Sequence, residues 1–299
     1  MNNILGVDIG GTHITAALVN VNDKRIIETS RQREAVNSKG SADEILHEWA
    51  SVIKKSLGNR NLSIQKMGIA MPGPFDYEQG ISLMKDNAKY SSLYGLNVKS
   101  SLSDILGMPT ANIHFSNDAV CFLKGELFAG VAMGADKAIG ITLGTGLGTT
   151  YFDGDTIIDA NLWCMPFRDS IAEEYISTRR FVNRYNQLTG KVVKGVKQLA
   201  DIYHIDTVVK DLFDEFATHL ASFIKLFIEN SPSDLVVLGG NILKSEEFFL
   251  PMLNEKLEDY NLKISIVKSL LGEDSALLGA VGGILNESIL EETRITLRA

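Results

Sequence analysis

Cysteine, proline and positive charge are all scarce in this sequence. Its 299 residues include two cysteines, Cys121 and Cys164, and six prolines. Two distant cysteines cannot build a disulfide scaffold or a multi-cysteine zinc site, and they fit a reducing cytoplasm, where the protein is expected to reside. No Pro/Ser-rich stretch marks a linker between separate modules. Lys and Arg number 29 against 37 Asp and Glu, a formal net charge of −8. That balance argues against nucleic acid as a partner, because phosphate binding needs a basic footprint. Long apolar runs are missing too. The longest uncharged stretch, Ala138 to Phe152, is dominated by Gly and Thr, and Asp8 interrupts the only candidate signal segment. No membrane contact is expected. At 45% hydrophobic and 22% charged, the chain has core enough for one large domain or two of about 150 residues.

Glycine is abundant, with 26 residues, many in tight clusters. Asn3 to Val19 reads as a strand, a Gly turn and a second strand. Ser41 and Glu44 form a capping box for a helix carrying Ile45, Leu46, Trp49, Val52 and Ile53 at helical spacing, and Gly58 stops it. Ile64 to Ala70 is a short buried strand leading into Met71-Pro72-Gly73-Pro74. Asn112 to Ser116 is another, with a helix behind it through Leu127. Ala138 to Tyr151 repeats the opening pattern. Set 134 positions apart, Gly6, Gly10 and Thr15 fall on Gly140, Gly144 and Thr149, which suggests a duplication. Leu212 to Glu229 is an amphipathic helix, Asp234 to Asn241 an apolar strand, and a last helix begins near Asp274. Strands alternating with helices indicate an α/β fold.

Three glycine clusters carry candidate chemistry. In Asp8-Ile-Gly-Gly-Thr12, Gly10 and Gly11 allow backbone amides to approach an anion and Thr12 adds a hydroxyl, with Asp8 placed for a metal ion or its waters; a plain hairpin turn fits equally. Leu143-Gly144-Thr145-Gly146-Leu-Gly148 is followed by strand residues, unlike a dinucleotide fingerprint, and no P-loop is present. A second turn facing the first would clamp a polyphosphate. Leu238-Gly239-Gly240-Asn241 ends a buried strand, where backbone without side chains admits a flat ring, or simply marks the strand end. Asn117 and Asp118 follow a strand, as a catalytic pair or as the cap of the next helix.

Taken together, these segments resemble the sugar-kinase/actin-like ATPase superfamily, and within it the ROK family of sugar kinases and repressors, over nearly the whole chain. The resemblance implies a two-lobed, ribonuclease H-like α/β fold with duplicated mixed-sheet domains and a central cleft. Residues 1–116 with a C-terminal helix at about 281–299 would form the smaller lobe and residues 117–280 the larger. It implies ATP and Mg²⁺ as cofactors, with Asp8, Gly10, Gly11, Thr12, Gly144, Thr145, Gly146, Gly239, Gly240 and Asn241 on the nucleotide and Asp8 on the metal through water. Asp118 in Ser116-Asn-Asp-Ala119 would be the general base for a sugar hydroxyl. Gly73 of Ala70-Met-Pro-Gly-Pro74, together with Asn87, Asn117 and Asp118, would line the sugar side. Glu273 to Ala280 is similar to the family's closing helix beside adenine. The implied reaction is ATP-dependent phosphorylation of a hexose or amino-hexose by a glucokinase-like homodimer.

One segment departs from the family. Where its members carry Gly-Glu-Leu-Gly-His and a three-cysteine zinc cluster, this chain has Asp159 to Ser170, with Cys164 alone, so no structural zinc is expected. Ala172-Glu-Glu-Tyr-Ile-Ser177 keeps the family's next motif, in which Glu173 matches a sugar-contacting glutamate; a register shift would put Glu174 there, and a solvated helix face remains open. Asn161 stands near the missing Glu, and its amide could bond a hydroxyl. Trp163 is read as a core residue or a platform for a sugar ring. Arg179, Arg180, Arg184, Lys191, Lys194 and Lys197 read as a solvated basic face, and the histidines have no ligand spacing. The alternative function is a sugar-responsive sensor or regulator without catalysis. The family's repressors carry an N-terminal DNA-binding domain, for which Asp8 lies too near Met1.

Overall fold

The computed structural model describes residues 3–60, 65–85 and 89–296. Along the chain, β1 (Asn3–Ile9) and β2 (His13–Asn20) precede β3 (Arg25–Ile26), β4 (Gln32–Ala35), α1 (Ala42–Leu57) and β5 (Met67–Met71). The ribbon β6 (Phe75–Asp76) and β7 (Ile81–Ser82) leads to α2 (Val98–Leu106), β8 (Ile113–Asn117) and α3 (Asp118–Ala129). There follow β9 (Ala138–Leu143), β10 (Leu147–Phe152), β11 (Ile157–Asp159) and the ribbon β12 (Pro166–Phe167) and β13 (Ser170–Ile171). Helices α4 (Ala172–Tyr175), α5 (Thr178–Thr189), α6 (Val196–Ala200) and α7 (Thr207–Asn230) come next. The chain closes with β14 (Leu235–Gly239), α8 (Leu250–Asp259), β15 (Ser265–Lys268) and α9 (Asp274–Thr296). Ile64 of the expected strand before the Gly-Pro turn lies outside the described residues. Among the described residues no helix is long and apolar enough to cross a membrane.

Two compact units result, residues 1–133 with 273–299 and residues 134–272. The first is built on a sheet of order β3-β2-β1-β5-β8, with β4 also on β2; β1 runs antiparallel to β2 and parallel to β5. The second has order β11-β10-β9-β14-β15, with β9 antiparallel to β10 and parallel to β14. Both sheets therefore share one strand order and one pattern of directions, the architecture of a duplicated actin-like ATPase fold. The copies differ at their first turn. Ile9 pairs with Ile14 but Leu143 pairs with Leu147, so the second turn is one residue shorter. As a result Thr15 faces Asp8, whereas Thr149 faces Ile141.

Strand alternation divides the first sheet. Leu5, Val7 and Ile9 join the core under α1, whose Ile45, Leu46, Trp49, Val52 and Ile53 form its buried stripe. The Ser41–Glu44 capping box closes, with Ser41 N–H donating to Glu44 Oε2 at 2.8 Å. Gly6 and Asp8 point to the opposite face, which α9 covers: a methyl group on Gly6 would strike Leu277, and one on Gly68 the Ala280 carbonyl. Helix α3 lies against α9 equally closely, because a side chain on Gly279 would overlap the Cys121 carbonyl and one on Gly125 the Ser275 carbonyl. That backbone contact keeps α3, and α9 from its first turn, in the first unit. The expected boundaries after residues 116 and 280 fall instead after residues 133 and 272.

In the second unit α7 supplies Leu212, Phe213, Phe216, Leu220, Phe223, Ile224 and Phe227 to the core at helical spacing. Asp206 caps it through the Val208 N–H at 3.0 Å. Burial of each such side chain stabilises by about 1.5–3 kcal/mol. Phe167 of the β12–β13 ribbon packs edge-on against Phe223, Tyr175 and His219. Burial lowers the His219 pKa to about 4, with the Arg168 charge acting in the same direction.

The α3–α9 contact yields a paired test. Gly279→Ala should cost about 1–3 kcal/mol in urea denaturation, because the methyl meets rigid backbone. Gly283→Ala, whose methyl meets only the flexible Lys124 side chain, should be neutral or gain up to about 1 kcal/mol from helix propensity.

Candidate functional site

In the first unit, β1 ends just after Asp8 and hands over to Gly10-Gly11-Thr12. The Gly10 N–H donates to the His13 carbonyl at 2.9 Å, and the Tyr90 hydroxyl donates to the Gly10 carbonyl at 2.6 Å. The Thr12 carbonyl accepts from Val36 N–H at 3.0 Å, and Thr12 Oγ1 lies 3.0 Å from His13 Nδ1. The N–H groups of Gly11 and Thr12 meet no acceptor among the described residues. A turn with uncommitted successive amides is an anion-binding concavity. The Lys89 side chain lies across Gly11.

Asp118 opens α3 and is exposed, with its Oδ1 accepting the Ala119 N–H at 2.9 Å. Asn117 is the N-cap. Its Oδ1 accepts from Ala119 and Val120 at 2.9 and 3.2 Å, and its Nδ2 donates to the Tyr77 hydroxyl at 3.0 Å. Tyr77 in turn donates to the Met71 carbonyl at 3.2 Å, and Gly73 lies beside both Tyr77 and Asn117. Capping is therefore what Asn117 does in this fold, and the capped helix end is what presents Asp118. Asn87 lies outside the described residues.

The electrostatics tie Asp8 to Asp118. Burial pushes the Asp8 carboxyl up to about 7, with repulsion from Asp118 and Glu273 adding to it and Arg33 opposing. Strand register accounts for Arg33: Asp8 pairs with Thr15 and Thr15 with Arg33, which puts the three on one row and one face. Arg33 binds Glu273 at 2.8 Å and Arg31 binds Asp274 at 2.7 Å, pinning the first turn of α9 beside that row. Sequence reading missed Arg33, Tyr77, Lys89 and Tyr90. Only the alternation of Arg31 and Arg33, two residues apart, hinted at a shared face.

In the second unit, the Gly144 N–H donates to the Gly146 carbonyl at 3.1 Å and Thr178 N–H to the Gly144 carbonyl at 2.8 Å. The N–H groups of Thr145 and Gly146 meet no acceptor among the described residues. Glu173 Oε2 accepts the Leu147 N–H at 3.0 Å and lies where a side chain on Gly146 would be. Its Oε1 binds Arg179 at 2.5 Å, and Glu174 binds the same guanidinium at 3.2 Å. Gly239 pairs with Thr142, and Gly240, at φ 91°, packs directly on the Leu143 backbone, so the third glycine cluster starts beside the second turn. Asn241 and Thr145 are exposed.

Asn161 adopts left-handed backbone, and its Oδ1 accepts the Trp163 indole N–H at 2.6 Å. Trp163 is 42% exposed, so it is no core residue. The basic cluster is largely ion-paired: Arg180 and Arg184 bind Glu215 and Lys197 binds Asp201. That is a solvated face rather than an anion site.

The ROK family profile matches residues 4–163. The glucokinase of Thermotoga maritima is 26% identical over 96% of this chain and 98% of its own length. A beta-glucoside kinase of Listeria innocua is 25% identical over 95% of this chain and 98% of its own. Among solved structures, a ROK family glucokinase from Streptomyces griseus in complex with glucose and AMPPNP matches with a TM-score of 0.72 at 22% identity. That match covers 93% of this chain and 97% of the other; at this identity the likeness is one of fold. A profile spanning more than half of the chain, together with the twice-built sheet and its glycine turns, makes this protein a member of the ROK family.

Proposed function

We infer that this protein is an ATP-dependent sugar kinase whose substrate is a hexose or amino-hexose hydroxyl and whose general base is Asp118. The observation that carries this reading is the pairing, within one unit, of an exposed helix-opening carboxylate with a second carboxylate, Asp8, beside a turn with two uncommitted amides. Phosphoryl transfer asks little more of a protein than positioned groups and neutralised charge. In this reading the sugar oxygen bonds to the terminal phosphorus as the bridging P–O bond breaks, and Asp118 takes the hydroxyl proton. The amides of Gly11, Thr12, Thr145 and Gly146 bind phosphate oxygens, and Gly239, Gly240 and Asn241 accept the nucleoside. Gly73 leaves room for the sugar beside Asn117.

The acidic set fits magnesium. Asp8 is buried in the field of Asp118 and Glu273, and magnesium is commonly held by one or two carboxylates with phosphates and waters. Asp8 would hold it through water, and when bound it supplies charge neutralisation on the phosphates. Glu173 acts in this reading by orienting the second turn through Leu147 N–H, and Asn161 offers its amide nitrogen to a sugar hydroxyl. The names of the relatives point to glucose and β-glucosides as first candidates.

Purified protein with ATP and Mg²⁺ should release ADP in proportion to an added sugar from a hexose and N-acetylhexosamine panel. Turnover indifferent to every sugar overturns the kinase reading, and tight sugar binding without turnover supports the sensor alternative. Asp118→Asn should lower kcat at least about 100-fold with little change in nucleotide affinity; an unchanged kcat places the base elsewhere. The Asp8 shift gives a pH test on metal-free protein. A carboxyl raised to about 7 stabilises the fold fully below the ordinary carboxylate range, and this contribution is lost as pH rises through 7. Asp8→Asn, neutral throughout, should melt above the wild type at pH 8, and the gap should shrink as the pH falls and close only below about pH 4, under the ordinary carboxylate value. Parallel melting curves across that range would show that Asp8 is ionised in the fold at an ordinary pKa.

A further inference from the structure

Lys89 has no part in the reaction as described, yet it covers the first glycine turn. A methyl group on Gly11 would collide with Lys89 Cδ, Cε and Nζ together, so the distal half of the side chain lies against the turn itself. Among the described residues no carboxylate forms an ion pair with it. The lysine is otherwise exposed, and an exposed lysine gives up rotamer freedom on being held.

The neighbouring residue confines it. Tyr90 is fully buried in left-handed backbone at φ 58°, with its ring edge-on to Trp49 at 5.2 Å. Its hydroxyl donates to the Gly10 carbonyl at 2.6 Å and its N–H to the Ser38 carbonyl at 2.7 Å. The first bond ties the backbone that carries Lys89 to the turn, and the second ties it to the segment between β4 and α1. An ammonium with no carboxylate partner among the described residues is thereby added to the amides of Gly11 and Thr12 and to the Thr12 hydroxyl. Donors of this kind, gathered without an acceptor among the described residues, are the chemistry of a phosphate site.

We propose that Lys89 is a phosphate-binding residue of the first glycine turn, its ammonium bonding phosphate oxygens of a nucleoside triphosphate, with Tyr90 as the positioning residue. This rests on the kinase reading. The test uses the full chain with Mg²⁺ and a non-hydrolysable ATP analogue in titration calorimetry, alongside acylation of lysine amines read by mass spectrometry. Lys89→Ala should weaken analogue binding about tenfold or more, the loss of one charge-assisted bond. Lys89→Arg should restore most of it, and both variants should melt with the wild type. Acylation of Lys89 should slow when the analogue is bound. Tyr90→Phe should weaken binding by less than Lys89→Ala. Wild-type binding that Lys89→Ala leaves unchanged, or acylation indifferent to the analogue, overturns the proposal while the kinase reading stands. Wild-type protein that ignores nucleotides but binds inorganic tripolyphosphate through Lys89 overturns the kinase reading and keeps the phosphate site. Binding of neither overturns both.

Discussion

The contact on which the first unit depends is backbone against backbone, where α9 is laid across the sheet and against α3. Gly6 and Gly68 in the strands, and Gly125 and Gly279 in the helices, remove the side chains that would hold these elements apart. Close approach has an electrostatic consequence. It covers the sheet face that carries Asp8, and a carboxylate shielded from water next to Asp118 and Glu273 is held less acidic than usual. Arg33 and Arg31 then fasten the acidic start of α9 beside the same row. Packing and charge at this site are thus two results of one set of missing side chains.

The second unit repeats the strand order but not its details. Shortening the turn by one residue changes which threonine faces which strand position, and the glutamate after β13 fills the space a Gly146 side chain would take. Where the first turn is braced by a buried tyrosine, the second is braced by a carboxylate and by the N–H that opens α5. Both devices leave two adjacent N–H groups without an acceptor among the described residues. Different side chains therefore reach one backbone outcome, which is what an anion site requires.

Several polar residues that looked like ligands in the sequence are engaged internally. Asn117 caps α3, Glu173 bridges Leu147 and Arg179, and Asn161 holds the indole of Trp163. A polar side chain near a site lowers the energy first by meeting the backbone donors closest to it, since buried donors left unmet are costly. The departure segment, Asp159 to Ser170, is organised the same way, by local turns and by Phe167 packed into the α7 aromatic cluster.

The sequence alone determined the repeated strand–turn–strand pattern, the helix caps at Ser41 and Gly58, the glycine clusters and the likeness to the ROK family, because these are local in the chain or recur within it. Hydrophobic period and turn chemistry act over a few residues and are legible there. The unit boundary, the row of Asp8, Thr15 and Arg33, the Asp8 pKa and the laying of Lys89 on Gly11 were decided only by tertiary structure. Each depends on strand register or on how near one backbone comes to another, and Arg33 and Lys89 carry no mark in their own neighbourhoods of reaching Asp8 and its turn.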